Sequence, residues 1–319
     1  NITIFGADNT TSLPSTKFGY HLGNGGWGNS TWRAPNCDSL DDEGCFTSSG
    51  NDTSVRLADI NRDGLVDILR SYLNTDNPNA FVSEIWINNL TGWNQSTRWV
   101  NPICNSADKS GCFIEISASG GHDNGVRFAD INGDGFIDIV RAWADQSSSE
   151  GGVWLNNGTG WDESSLVFPE CDGVMRSGCF VSNDKDSGVR LIDINGDGLL
   201  DVVRANAQST PENSGTYRIY LNNGTNWKNV TATWGGIPNC QGSTVKGCFV
   251  LDSNDQGVRL EDVNGDGLVD ILRATSADTS DGENEVWLNN GTGWYNTTAT
   301  WQIPRCNSQT DHGCILEQS

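Results

Sequence analysis

Between residues 126 and 143 the chain reads VRFADINGDGFIDIVRAW, so Asp130, Asn132, Asp134 and Asp138 place four side-chain oxygen donors within nine residues. Carboxylates held this close repel, and each disfavours ionisation of the next unless a cation stands between them. The spacing is that of a calcium loop. Side chains at positions 1, 3 and 5 converge on the ion, a glycine at position 6 makes the sharp turn, and position 7 offers its backbone carbonyl. Those positions are Asp130, Asn132, Asp134, Gly135 and Phe136, with Asp138 at position 9. An EF-hand would place Glu at position 12 between two helices. Here the flanks are β-branched and aromatic, so the expectation is a calcium loop joining two strands.

The motif recurs. DINRDGLVD supplies Asp59, Asn61, Asp63, Leu65 and Asp67; DINGDGLLD supplies Asp193, Asn195, Asp197, Leu199 and Asp201; DVNGDGLVD supplies Asp262, Asn264, Asp266, Leu268 and Asp270. Four complete repeats predict four calcium ions, one each. Arg62 replaces glycine at position 4 of the first loop, which is not a ligand position, and that loop is expected to bind as well. Each loop is followed by a DILR-like strand, then by a segment such as GVWLNNGTGW, then by a proline-containing stretch and a cysteine pair, with a period of about 67 residues.

The ten cysteines keep the same period: Cys37 with Cys45, Cys104 with Cys112, Cys171 with Cys179, Cys240 with Cys248 and Cys306 with Cys314 are all C-x7-C. Equal spacings in an even set predict five local disulfides rather than zinc, and hence an oxidising, extracellular or surface location. Sequons begin at Asn1, Asn9, Asn29, Asn51, Asn89, Asn94, Asn157, Asn223, Asn229, Asn290 and Asn296. NNGTG is also a good hairpin turn, and both readings hold together because a hairpin tip is accessible to glycosylation. A net charge of −22 argues against nucleic acid as a partner, and part of that acidity belongs to the loops. No apolar run reaches the length of a membrane span.

Each unit reads as four strands, which is the blade of a β-propeller. The expected fold is all-β, a propeller or propeller-like array of four-stranded antiparallel blades with one C-x7-C disulfide per repeat. The D-[IV]-N-x-D-G-x-x-D loops resemble the FG-GAP or VCBS repeat family, known from integrin α-subunit propellers, lectin-like propellers and shells around Rhs-type toxins. That resemblance implies fold and calcium far more sharply than function. The units are a partial repeat (1–45, strands two to four), four repeats (46–112, 113–179, 180–248 and 249–314) and the start of another (315–319).

Strand alternation puts the calcium loops and NNGTG turns at one end of the units. The connections between strands two and three, which vary most in sequence, lie at the other end with the C-x7-C loops. Trp27, Trp93, Trp161, Trp227 and Trp294, one per unit, are expected to pack between blades. The pairs Arg56/Arg70, Arg127/Arg141, Arg190/Arg204 and Arg259/Arg273 are expected to bond structurally to Asp or backbone carbonyls and so to hold the loops. Only His21, His122 and His312 are present, none in register with another, and with no nucleophile motif the chain is expected to have no catalytic residues.

Two functions remain open. The first is an extracellular, calcium-binding, N-glycosylated structural repeat that builds a surface appendage, coat or filament by end-to-end self-association. The offset of the repeat at both ends of the sequence favours it, because contacts that do not close generate filaments. The second is an adhesion or lectin-type propeller that binds glycans or cell-surface proteins through its variable loops.

Overall fold

The computed structural model describes residues 35, 45–48, 51–77, 79–105, 107–117, 120–171, 178–209, 214–277, 280–301, 303 and 316–317. The partial repeat apart from residues 35 and 45, with Trp27 and the sequons at Asn1, Asn9 and Asn29, lies outside them. The described chain is all-β, with small, mostly antiparallel sheets and no helix among the described residues.

The second repeat shows the plan. Val126–Ala129 pairs antiparallel with Asp138–Ala144, which pairs with Ser149–Asn156, which pairs with Trp161–Glu163. The long middle strands are buried on both faces, as the apolar run IVRAWA anticipates. Three other sheets repeat this order around Asp67–Asn74, Asp201–Gln208 and Asp270–Ala277.

The sheets are larger than the four-stranded expectation. Just past each disulfide a short hairpin, such as Val181–Ser182 with Lys185–Asp186, adds to the preceding sheet by pairing parallel with its second strand, Trp143 opposite Val181. The same exchange joins Tyr72 to Ile114, Asn206 to Val250 and Thr275 to Leu316. Hydrogen-bonded sheets therefore cross the boundaries drawn from sequence. These strands are only two to four residues long and carry no clear alternation, so pattern could not reveal them.

The cores form between successive sheets. Ile60, Leu69 and Ile85 of the first repeat pack with Val126, Ile139 and Trp154 of the second. Ile131, Val140 and Val153 meet Val202 and Tyr220 of the third, and Ile194, Val203 and Ile219 meet Ile271, Trp287 and Trp294 of the fourth. No repeat buries its apolar faces alone, which is the energetic basis of a repeat array.

Of the five expected disulfides, Cys104–Cys112, Cys171–Cys179 and Cys240–Cys248 are formed, and Cys45 is disulfide-bonded. Cys37 lies outside the described residues. Cys306 and Cys314 also lie outside them, so the fifth bridge, expected between Cys306 and Cys314, is not among the disulfides described. The loops that the three bridges close are tight. A Cβ on Gly111, Gly178 or Gly247 would meet the carbonyl oxygen of Pro102, Pro169 or Pro238 at 1.9, 1.9 or 1.6 Å. Only glycine fits there.

Candidate metal centres

Each D-x-N-x-D-G-x-x-D loop turns between the first and second strands, and its side chains fold inward onto its own backbone. In the second repeat, Asp130 accepts hydrogen bonds from the amides of Gly133 (2.8 Å) and Gly135 (2.7 Å), and Asn132 Oδ1 accepts from Asp134 N (3.0 Å). Asp134 Oδ1 accepts from Phe136 N at 2.8 Å, while its Oδ2 accepts from Asn132 Nδ2 at 2.9 Å. Asp59, Asn61 and Asp63, Asp193, Asn195 and Asp197, and Asp262, Asn264 and Asp266 make the corresponding bonds. Residues 1, 3 and 5 of all four loops are thus brought together.

The glycine at position 6 has φ between +84° and +88° in all four loops, and at Gly64, Gly198 and Gly267 a Cβ would meet nothing within 4 Å. The demand at those three is for backbone conformation, not for room. Arg62 holds φ +60° at position 4, an uncommon state for a side chain of that size. Its guanidinium reaches the next loop, donating to Asp134 O at 2.8 Å and lying 5.6 Å from the centre of the Phe136 ring. The other loops touch by packing: a Cβ on Gly133 would meet Leu199 at 2.8 Å, and one on Gly196 would meet Leu268 at 3.0 Å.

The position 9 carboxylates play a different part. Asp67, Asp138, Asp201 and Asp270 are fully buried. Asp138 Oδ2 accepts from Ile131 N at 2.9 Å and Oδ1 from Asn156 N at 2.7 Å, so this one side chain ties the loop to the third strand. Burial pushes the Asp138 and Asp67 carboxyls up to about 6 and that of Asp201 up to about 7, with backbone donors opposing and the two nearby loop carboxylates adding. Asp270 is raised for the same reasons.

The donor set fits a hard cation: amide and carboxylate oxygens in a glycine-permitted turn, with two loop carboxylates close enough to raise the pKa of the buried position 9 acid. Asp130, Asn132, Asp134 and Asp138 with the Phe136 carbonyl would hold the ion in the second repeat, and the corresponding residues in the others. Among the described residues no three His, Cys, Asp or Glu side chains are grouped as a metal cluster. In each loop an amide and a backbone carbonyl alternate with the acids.

Two constellations were missed in the sequence. The first asparagine of each NN pair is buried: Asn156 Nδ2 donates to Ile137 O (3.1 Å) within its repeat and to Ile60 O (2.8 Å) in the preceding loop. Asn222 reaches Ile131 O at 2.7 Å and Asn289 reaches Ile194 O at 2.8 Å. The doubled asparagine was the signal, hidden by the sequon that the second of the two carries. The other missed pattern is D-x-[GS]-x-R, in which Arg56, Arg127, Arg190 and Arg259 pair with Asp52, Asp123, Asp186 and Asp255 four residues earlier. The arginines therefore bond to Asp and to backbone carbonyls as expected, but they fix the added hairpin to the first strand rather than hold the acidic loop.

The once-per-repeat tryptophans do pack between repeats. Trp161 meets Trp99 edge-on at 5.2 Å, Trp227 meets Phe168 at 5.6 Å and Trp294 meets Trp234 at 5.8 Å. Each also donates its indole N–H to the carbonyl of the residue just before the buried aspartate, as Trp161 does to Ile137 O at 3.2 Å. At the opposite end, Cys171 Sγ lies 3.6 Å from Trp143 O and 3.4 Å from Glu150 O, beside the turn between the second and third strands. Asn89, Asn94, Asn157, Asn223, Asn229, Asn290 and Asn296 are exposed; the Asn51 side chain lies outside the described part of the chain.

Residues 130–203, from the second loop through the third, match the model of the FG-GAP-like repeat. The chain carries an FG-GAP-like repeat. The FG-GAP-like motif at Asp130 recurs at Asp59, Asp193 and Asp262. No curated protein matches. Among solved structures, the chain is similar to an Agrocybe aegerita lectin that recognises non-reducing terminal N-acetylglucosamine, at 18% identity and a TM-score of 0.47, over 78% of this chain and 53% of that one. It is also similar to the Photorhabdus luminescens Tc holotoxin pore, at 15% identity and a TM-score of 0.41, over 78% of this chain and 9% of that one. The chain thus spans about half the length of the first.

Proposed function

We propose that the protein is an extracellular, calcium-binding, N-glycosylated structural repeat protein whose propeller-like blades build a surface appendage, coat or filament through end-to-end contacts, without catalysis. The observation that carries this reading is serial linkage. Each repeat gives its second strand to a hairpin of the next, and each buried Asn from the second repeat onward reaches back to the preceding loop carbonyl. The same contacts recur in the same direction, as in a scaffold that transmits load along its length. Calcium in the four loops would stiffen one end at which neighbouring repeats touch, and local disulfides brace the other, where the strands are exchanged. The exposed sequon asparagines support glycans on the surface, where they would oppose nonspecific clumping. Among the described residues no helix is long and apolar enough to cross a membrane.

Electron microscopy of the native secreted material, with and without a calcium chelator, tests this. Filaments with an axial repeat that loosen on chelation are expected; isolated closed rings would overturn it. A second reading, an adhesion or lectin-type propeller, is supported by a polar cavity of about 620 Å³ at the end where the turns differ in sequence.

A further inference from the structure

The third repeat breaks a pattern that its neighbours keep. Elsewhere a buried arginine on the second strand is answered by a glutamate on the third: Arg70 faces Glu84 at 3.9 Å, Arg273 faces Glu285 at 3.6 Å, and Arg141 is ion-paired with Glu150. At the equivalent place Arg204 faces Arg218. Two guanidiniums on adjacent strands repel unless an anion answers both. Glu170, from the second repeat, acts on both but lies 3.5 Å from Arg218 Nε and also accepts the Tyr220 hydroxyl. Among the described residues Arg204 forms no salt bridge. Its Nη2 donates to Asn206 Oδ1 at 3.0 Å, and its Nε is buried without a partner.

Arg204 lines the cavity of about 620 Å³, together with Asn206 and Gln208 of its own strand, Lys185 and Ser187 of the hairpin that opens the third repeat, and Asp252 of the next hairpin. The acids here are already engaged: Asp186 by Arg190 at 2.8 Å, and Asp252 by the Ser209 amide at 3.1 Å and by its hydroxyl. Lys185 forms no salt bridge among the described residues, although its charge acts on Asp252 across the cavity, and Ser187 Oγ is buried without a partner. The cavity thus combines a guanidinium that lacks a salt bridge, an ammonium and several amide and hydroxyl groups, with only Ala207 and Val250 as apolar lining.

We infer that this cavity binds an acidic saccharide, its single carboxylate on Arg204 and Lys185 and its ring hydroxyls on Asn206, Gln208, Ser187 and Asp252. A planar guanidinium matches a carboxylate in shape and charge. The amides and hydroxyls suit a polyhydroxylated ligand, the lining has no aromatic face for a nucleobase, and a net charge of −22 opposes polyanions. The volume lies within the range of small-ligand sites. None of the lining residues belongs to the loops that would hold calcium, and the site needs no array, so its fate is separate from that of the structural reading.

Isothermal titration of the whole chain in saturating calcium with sodium glucuronate, against methyl glucoside and sodium sulfate, tests the inference. Saturable glucuronate binding that exceeds both controls is expected. Arg218→Glu, which restores the acid found in the other repeats, and Lys185→Gln, at an exposed side chain, should each weaken it about tenfold, the scale of one hydrogen bond to a charged group. Lys185→Gln should leave the melting temperature unchanged, so its result stands even if Arg218→Glu disturbs the Glu170 contact. No saturation, equal binding of sulfate, or unchanged affinity in Lys185→Gln would overturn the assignment.

Discussion

The two ends of the repeats solve opposite problems with different chemistry. At the loop end, four copies of one nine-residue motif make nearly the same hydrogen bonds, and each loop touches the next through Arg62, Leu199 or Leu268. At the other end, disulfides and the Gly–Pro close approach hold a constant frame, while the turns between the second and third strands differ in length and sequence in every repeat. A site whose carboxylates must converge on one ion tolerates little change, because each oxygen has a fixed place. A turn braced by a covalent bond beside it tolerates much more. Repeats are joined at both ends, by loop contacts at one and by strand exchange at the other, but only the turn end diverges, which marks it as the place where repeats acquire individual properties.

Removing calcium should break this comparison most severely, because on the proposed function it would take away the ion that the loop carboxylates hold. The melting temperature should fall by roughly 10–20 °C on chelation, the scale set by several kcal/mol of linked binding free energy in a chain of this size. Differential scanning calorimetry with and without chelator measures this, and an unchanged transition would remove calcium from the account. The effect should depend on pH. The folded-state carboxyls of Asp67, Asp138 and Asp201 are raised to between about 6 and 7, so without calcium the folded chain keeps protons that the unfolded chain loses near pH 4. The calcium-free protein should therefore lose stability as pH rises from about 4 through 7, and added calcium should raise its melting temperature more at pH 7.5 than at pH 5.

The next largest effect should come from Asn156→Ala, which strips the Ile60 and Ile137 carbonyls of a donor in buried surroundings and should cost about 3 kcal/mol in urea unfolding. Asn157→Gln, one residue away and exposed, should remove glycan mass in mass spectrometry with a loss of only about 0.5 kcal/mol. If the two variants were equally destabilised, the assignment of one asparagine to the joint and the other to the surface would be wrong.

Replacing Cys171 and Cys179 together by alanine should cost about 2–3 kcal/mol, the entropy of a short closed loop, while calcium stoichiometry by titration stays unchanged. A lower calcium count in that variant would mean that the two ends are coupled. Arg62→Gly should have the smallest effect, under about 1 kcal/mol, since relief of the positive φ offsets loss of the Asp134 carbonyl contact. Calcium titration should again give an unchanged count, and loss of a site would make Arg62 part of the metal centre.

Much of the loop end was legible in the sequence, because its residues act within one short segment. Asp130, Asn132, Asp134 and Gly135 need only their spacing to be read as a turn lined with oxygens. Asp138 was legible as a member of the motif but not as a buried bridge to Asn156, since that bond joins strands eighteen residues apart. The added hairpins were missed because two-residue strands have no periodicity. Arg127 was seen as half of a pair around the loop when its partner is Asp123, in the hairpin that was not foreseen.

By itself the sequence determined the repeat, the all-β class, the C-x7-C disulfides that begin at Cys104, Cys171 and Cys240, and the oxygen-rich turns, since each follows from local spacing and recurs often enough to be recognised. Only the tertiary structure decided which buried asparagine ties each repeat to the last, which sheet receives each hairpin, and that Arg204 faces another arginine where its counterparts meet an acid. Those outcomes depend on which strands lie side by side, and neighbours in space are set by packing between repeats rather than by order along the chain.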